Sequence, residues 1–325
     1  MVNKIKNSEV QFRYETKNEK KGKGKKAIEE KVDKVASKGI EKKKRASSSK
    51  TALAERKPKR RGAFLSDKQR WCYHPDDKKV FAVSRSALQQ YLNCELCFYR
   101  HRRDGIKGPD SFPLTLNLAV DQLLKNEFDS FREKQSPHPI MKKLKKDYGI
   151  SAVPYKHPDK KEWEEWRFNF KGMRTLHEKT GLEVFGSLDD LWIDTKTKEL
   201  YVVDYKATSK KGPIGIDEEW QESYKNQMDV YQWILKQKGY KVADKAFFVY
   251  VNGRKNEKSF NESLKFDTHL ICYEGNSDWI ESTLQDLKKT IESDLPPKSN
   301  PACKLCNYVD LIKDYSKMVK ELKSA

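Results

Sequence analysis

Gly186-Ser187-Leu188-Asp189-Asp190-Leu191-Trp192 and Leu200-Tyr201-Val202-Val203-Asp204-Tyr205-Lys206-Ala207-Thr208 are two apolar runs with carboxylates set among their hydrophobic residues. Between them lies Asp194-Thr195-Lys196-Thr197-Lys198-Glu199, a polar, turn-forming break, so the pattern predicts consecutive strands of a hairpin. Residues two apart on a strand share a face, which sends Asp204 and Lys206 the same way. A carboxylate and an ammonium on one face, with another carboxylate on the neighbouring strand, can hold a divalent ion beside a water. Further on, Gln227-Met228-Asp229-Val230-Tyr231 falls within a helical stripe over 224–237. That stripe carries Tyr224, Met228, Tyr231, Trp233, Ile234 and Leu235, as expected of a helix packed on a sheet.

Upstream of the hairpin, Ser84 stands at a plausible N-cap before Ala87, Leu88, Tyr91 and Leu92 at helical spacing, and this helix leads into Cys94-Glu95-Leu96-Cys97-Phe98-Tyr99. Residues 116–128 read as an amphipathic helix with Leu116, Val120, Leu123, Leu124 and Phe128 on its apolar side, placing Asp121 and Glu127 near the buried edge. Residues 134–180 show scattered prolines and many charges and read as irregular structure, with a strand starting within 169–174. Downstream, 242–251 and 264–273 read as strands, 279–293 as a helix, and a short helix follows Cys303-Lys304-Leu305-Cys306. Four or five strands with helices before and after them predict one mixed α/β domain.

Composition limits the function classes. The chain of 325 residues holds 67 Lys and Arg against 48 Asp and Glu, a net charge of +19. Residues 1–70 carry 24 of the basic and 9 of the acidic residues, so the excess is mostly an N-terminal arm. Residues 1–62 are too poor in apolar groups to offset the entropy of ordering, which predicts a disordered basic arm before a folded domain over 63–325. The clusters Lys42-Lys43-Lys44-Arg45 and Lys57-Pro58-Lys59-Arg60-Arg61 suit a nucleic-acid tether, or a nuclear address in a eukaryotic host. No apolar run reaches eighteen residues and Met1-Val2-Asn3-Lys4 begins no hydrophobic signal segment, so the expected location is intracellular, in cytoplasm or nucleoid. In such a reducing compartment, Cys94-x-x-Cys97 and Cys303-x-x-Cys306 favour metal ligation over disulfides, while Cys72 and Cys272 stand apart. The paired spacing by itself favours zinc.

Gly186-x-x-Asp189 on one strand, Asp204-x-Lys206 on the next and Gln227-x-x-x-Tyr231 on the following helix resemble, in order, the core motifs of the PD-(D/E)XK nucleases, in particular the RecB-like branch that includes CRISPR-associated adaptation nucleases. Ser84, Ser86, Cys94, Cys97, Phe98 and Tyr99 resemble the Ser-x-Ser and Cys-Phe/Tyr elements of that branch. The resemblance covers about residues 80–310. It implies a restriction-endonuclease-like α/β fold, a central mixed sheet flanked by helices. It also implies a magnesium- or manganese-dependent deoxyribonuclease, exonuclease-like rather than sequence-specific, serving DNA repair, recombination or processing. Asp189 and Asp204 would ligate the metal, with Asp190 as the competing carboxylate. Lys206 would serve the water, and Gln227 and Tyr231 would contact single- or double-stranded DNA. The branch takes a further ligand, His or an acid, from the preceding helix, and Asp121 or Glu127 fills that place here. A four-iron four-sulfur cluster on Cys94, Cys97, Cys303 and Cys306 is the family expectation, although that branch places one cysteine before the core and three after it. The alternative to an enzyme is a nucleic-acid-binding module that keeps the fold without catalysis.

Overall fold

The computed structural model describes residues 71–110 and 112–324, and the basic arm expected over 1–62 lies outside them. The first half of the described chain runs β1 (Ala82–Ser84), α1 (Arg85–Asn93), α2 (Glu95–Arg102), α3 (Thr115–Lys134), α4 (Met141–Tyr148), β2 (Ala152–Pro154) and α5 (Lys160–Arg167). A central run of strands follows, β3 (Met173–His177), β4 (Leu182–Gly186), β5 (Asp190–Asp194) and β6 (Leu200–Thr208). The remainder is α6 (Glu222–Gln237), β7 (Lys245–Gly253), β8 (Phe266–Glu274), α7 (Asp278–Glu292) and α8 (Lys304–Ser324).

The hairpin read from the sequence is β5 and β6, antiparallel, with Asp190 opposite Val203 and Ile193 opposite Leu200. Its turn is closed by Asp194, whose Oδ1 accepts the Lys196 and Thr197 amides at 2.7 and 3.0 Å, an arrangement Asp favours because its short side chain reaches the backbone two residues on. This pair is the middle of a five-stranded sheet ordered β2-β5-β6-β7-β8. β6 and β7 are parallel and the other neighbours antiparallel, so the sheet is mixed. A second sheet of three strands, ordered β1-β4-β3, adds to the four or five strands expected.

Strand parity distributes the core to both faces. Trp192, Tyr201, Val203, Tyr205, Phe247 and Val249 face Phe128 of α3 and Met141 and Leu144 of α4. Leu191, Leu200, Val202, Phe248 and Tyr250 face the other way, toward Met228, Val230 and Ile234 of α6. Each fully buried large side chain in these layers stabilises the fold by roughly 1.5–3 kcal/mol. Every residue from Gln227 to Leu235 is buried. The sequence suggests a helix lying on one sheet, whereas α6 touches β6 on one side and β3 and β4 on the other, so it needs apolar residues all round.

Two other expectations change. Residues 134–180 are ordered as α4, β2, α5 and β3, not irregular, and their Trp163 and Trp166 enter the core. Helix α3 runs to Lys134, but Leu116 and Leu123 of the expected apolar side are exposed, because the helix meets the sheet through Leu124 and Phe128 alone of that group. Among the described residues no helix is long and apolar enough to cross a membrane.

Candidate active site

Asp189 and Asp190 part company at the start of β5. Asp190 shares the face of Val203 and Tyr205, is fully buried, and pairs with the Arg132 guanidinium of α3 while accepting the Tyr205 hydroxyl at 2.7 Å. Arg132 also donates to Asp129 at 3.0 Å and lies 4.5 Å over the Trp163 ring. That satisfied network removes Asp190 as a ligand. Asp189 stands on the β4–β5 link instead, where its Oδ2 accepts the Tyr205 amide at 2.9 Å. It is thereby placed beside Asp204 and Lys206, which project from β6 toward α6.

Asp204 is 1% exposed and its Oδ1 accepts a 2.7 Å hydrogen bond from Gln227 Nε2. Its buried Oδ2 accepts no hydrogen bond and has the Lys206 ammonium as an ion-pair partner. Lys206 also lies 4.4 Å over the Tyr224 ring. Burial, joined by the nearby Asp189 charge, pushes the Asp204 carboxyl up to about 7 against the pull of Lys206. For Asp189, burial also opposes ionisation, but the Lys125 and Lys206 charges and the Tyr205 amide outweigh it and hold the carboxyl below the usual range.

The third wall is α3. Asp121 reaches the site and Glu127 does not: Glu127 bonds His138 at 2.8 Å, while Asp121 lines a cleft of 260 Å³ with Asn117, Lys125, Asp189, Lys206 and Tyr224. The six-residue separation puts the two acids on different sides of the helix. Lys125, absent from the sequence reading, sits between Asp121 and Asp189, with Nζ 2.8 Å from Asp121 Oδ2 and 3.0 Å from Asp189 Oδ1. Burial works against its charge, yet the two carboxylates raise its pKa. Burial and the Asp189 charge in turn raise that of Asp121. The one available signal for Lys125 is its i,i+4 spacing from Asp121.

Gln227 and Tyr231 are both buried, and their polar atoms are engaged within the protein. Besides Asp204, Gln227 meets Arg85, whose Nη2 donates to Oε1 at 3.1 Å. The Tyr231 hydroxyl donates to the Ser187 carbonyl at 2.5 Å and lies 3.3 Å from Gln227 Nε2. Both therefore steady the carboxylates, where the sequence suggests contact with DNA. Arg85, the other residue the sequence reading passes over, is carried there by α1, whose N-cap Ser84 accepts the Ala87 amide at 3.1 Å.

The four cysteines meet at the far ends of the fold. Cys94 lies at the break between α1 and α2, Cys97 in the first turn of α2, and Cys303 and Cys306 at the start of α8. Their Sγ atoms all fall within 4.8 Å of one another, with separations of 3.4 Å for Cys97–Cys306, 3.5 Å for Cys97–Cys303 and 3.8 Å for Cys94–Cys306. Four thiolates on one tetrahedral ion at ~2.3 Å stand ~3.8 Å apart, so the spacing fits a single ion. A cubane cluster joins each thiolate to a different iron and holds the sulfurs apart by its own width, which fits less well. Burial opposes ionisation of Cys94, but the Asn300 and Cys97 amides outweigh it and bring the thiol down to about 7. Cys272 belongs to β8 and the Cys72 thiol donates to the His101 carbonyl at 3.7 Å, both apart from the quartet.

A mixed sheet whose central hairpin and flanking helices gather acids and a lysine into one cleft defines a class of metal-dependent phosphoryl-transfer folds. A model of the PD-(D/E)XK nuclease superfamily matches residues 82–311, the stretch holding the hairpin, α3, α6 and all four cysteines, and the chain belongs to that superfamily. No curated protein matches the chain.

Proposed function

We propose that this protein is a magnesium- or manganese-dependent nuclease that hydrolyses phosphodiester bonds in DNA. The observation that carries the reading is the meeting of Asp189, Asp204 and Lys206 in one cleft, with Asp204 Oδ2 buried and lacking a hydrogen bond. A charged oxygen without a donor is costly unless a cation completes it, and carboxylate oxygens match the hard ions of this chemistry. Asp189 and Asp204 hold the ion, and Asp121 completes the acidic wall. When bound, the ion supplies positive charge against the phosphate as negative charge builds there. Lys206 holds the attacking water and offsets charge on the phosphate. Gln227, fixed by Arg85 and Tyr231, keeps Asp204 aimed into the cleft.

The thiolate quartet is assigned a structural zinc, on the single-ion spacing of its sulfurs. The basic residues 1–62 tether nucleic acid by neutralising phosphates, and their removal flattens the salt dependence of DNA binding. An exonucleolytic mode in DNA repair, recombination or processing, in the cytoplasm, nucleoid or nucleus, is the setting proposed from the RecB-like motif pattern.

The test is digestion of end-labelled single- and double-stranded DNA with magnesium or manganese. Stepwise release of nucleotides is expected from the wild type, and Asp204→Ala should abolish it while leaving the circular dichroism spectrum unchanged. DNA binding without cleavage under either ion would replace this reading with that of a non-catalytic module.

A further inference from the structure

Lys125 is a cation already seated among the acids, and this inference rests on the metal-dependent reading above. Its ammonium is bonded to Asp121 and Asp189 at 2.8 and 3.0 Å, and its side chain is only 15% exposed. Asp189 in turn stands within hydrogen-bonding reach of Asp204. The site is thus a row of three carboxylates with two gaps. Lys125 fills the gap between Asp121 and Asp189, and the gap between Asp189 and Asp204 contains the buried oxygen without a hydrogen bond. In sites that use two divalent ions, the ions lie ~3.5–4 Å apart and share a carboxylate between them. Asp189 holds that shared position, but one of its two neighbours is an amine of the protein.

We infer that Lys125 takes the place of a second divalent ion, so that the site loads one metal ion between Asp189 and Asp204 and uses the Lys125 ammonium as its fixed partner charge. Charge supports the same count. With all five groups ionised, three carboxylates and the ammoniums of Lys125 and Lys206 leave one excess negative charge. One divalent ion reverses that to one positive charge, which suits a phosphate; a second would crowd Lys125 against a like charge. Asp121 then acts through Lys125, as a positioning residue that holds the ammonium against Asp189.

Manganese tests this because it prefers oxygen ligands and leaves the thiolate quartet alone. The full chain is titrated with Mn²⁺ and the bound ion counted by equilibrium dialysis and electron paramagnetic resonance. One ion with an uncoupled spectrum is expected for the wild type and for Lys125→Arg, which keeps the charge. Lys125→Met should bind two ions with the spectrum of a spin-coupled pair, and adding Asp121→Asn to it should return the count to one. A purely structural salt bridge would not produce that gain and loss. Two ions in the wild type would overturn the inference without any variant, as would a single ion in folded Lys125→Met. Either result leaves the nuclease reading standing, whereas no manganese bound by any form of the protein would overturn both.

Discussion

At Gly186 the absent side chain has a definite rival for its space: a Cβ there would fall 2.4 Å from Cε1 of Tyr231. The glycine of the first motif and the tyrosine of the third are therefore one packing unit. Gly186→Ala should cost about 1–3 kcal/mol in urea denaturation, as overpacking does. Tyr231→Phe keeps the ring and should cost only about 0.5–1.5 kcal/mol for the lost hydrogen bond to Ser187. If Gly186→Ala is neutral, the two residues are not coupled as described. Asp204 gives a pH signature. Its folded-state pKa, up to about 7, lies above the unfolded value of about 3.9. Its contribution to stability is thus fully present below the unfolded value and lost as pH rises through the folded one. Metal-free protein should lose stability in that window, and Asp204→Asn should flatten the loss in thermal melts; parallel slopes for the two proteins would contradict it. Strand parity makes Asp204 and Lys206 readable from sequence, because alternation survives without coordinates. Lys125 and Arg85 are not readable in that way, since a long charged side chain on a helix looks solvated until a partner from another element is placed beside it.

Among the elements, α3 carries two separate tasks on two stretches. Its middle presents Asp121 and Lys125 to the cleft, and its last turns carry Arg132 into the buried network with Asp190, Tyr205 and Asp129. Breaking a buried pair from one side leaves the other charge uncompensated. Arg132→Met should therefore destabilise the protein by about 3–5 kcal/mol, and pairing it with Asp190→Leu should recover part of that, both measured by chemical denaturation. A recovery of nothing would mean that the guanidinium serves mainly through its stacking on Trp163. The long elements α6, β6 and β7 stand out in the sequence because several turns or alternations repeat the same pattern. The expected irregularity over 134–180 has the opposite cause. Helices α4 and α5 have eight residues each and β2 only three, too few periods for a pattern to emerge from heavily charged sequence.

For the whole molecule, the cysteine quartet ties the α1–α2 junction to the start of α8, and Asn300 adds a 2.9 Å hydrogen bond to the Asn93 carbonyl at the same place. Purified protein should be colourless and contain one zinc per chain by elemental analysis; iron with acid-labile sulfide would overturn that assignment. Stripping the metal with a strong chelator should lower the melting temperature and expose α8 to limited proteolysis, since the helix turns most of its apolar residues, among them Tyr308, Leu311 and Leu322, outward and has little other anchorage. The two CxxC pairs announce this tie in the sequence because thiol spacing is local. The three-stranded second sheet is not announced, because β1 reaches β4 only across about a hundred residues of intervening chain.

The same tie sets an order of events. Cys94 and Cys306 are 212 residues apart in sequence, and closing so long a loop in an unfolded chain costs on the order of 5 kcal/mol. The full quartet can therefore assemble only after the sheets and α6 have brought the two ends together. The ion is consequently the last part to be installed, and its capture works as a completion mark: a chain that holds zinc on all four sulfurs has already built the cleft at Gly186–Lys206.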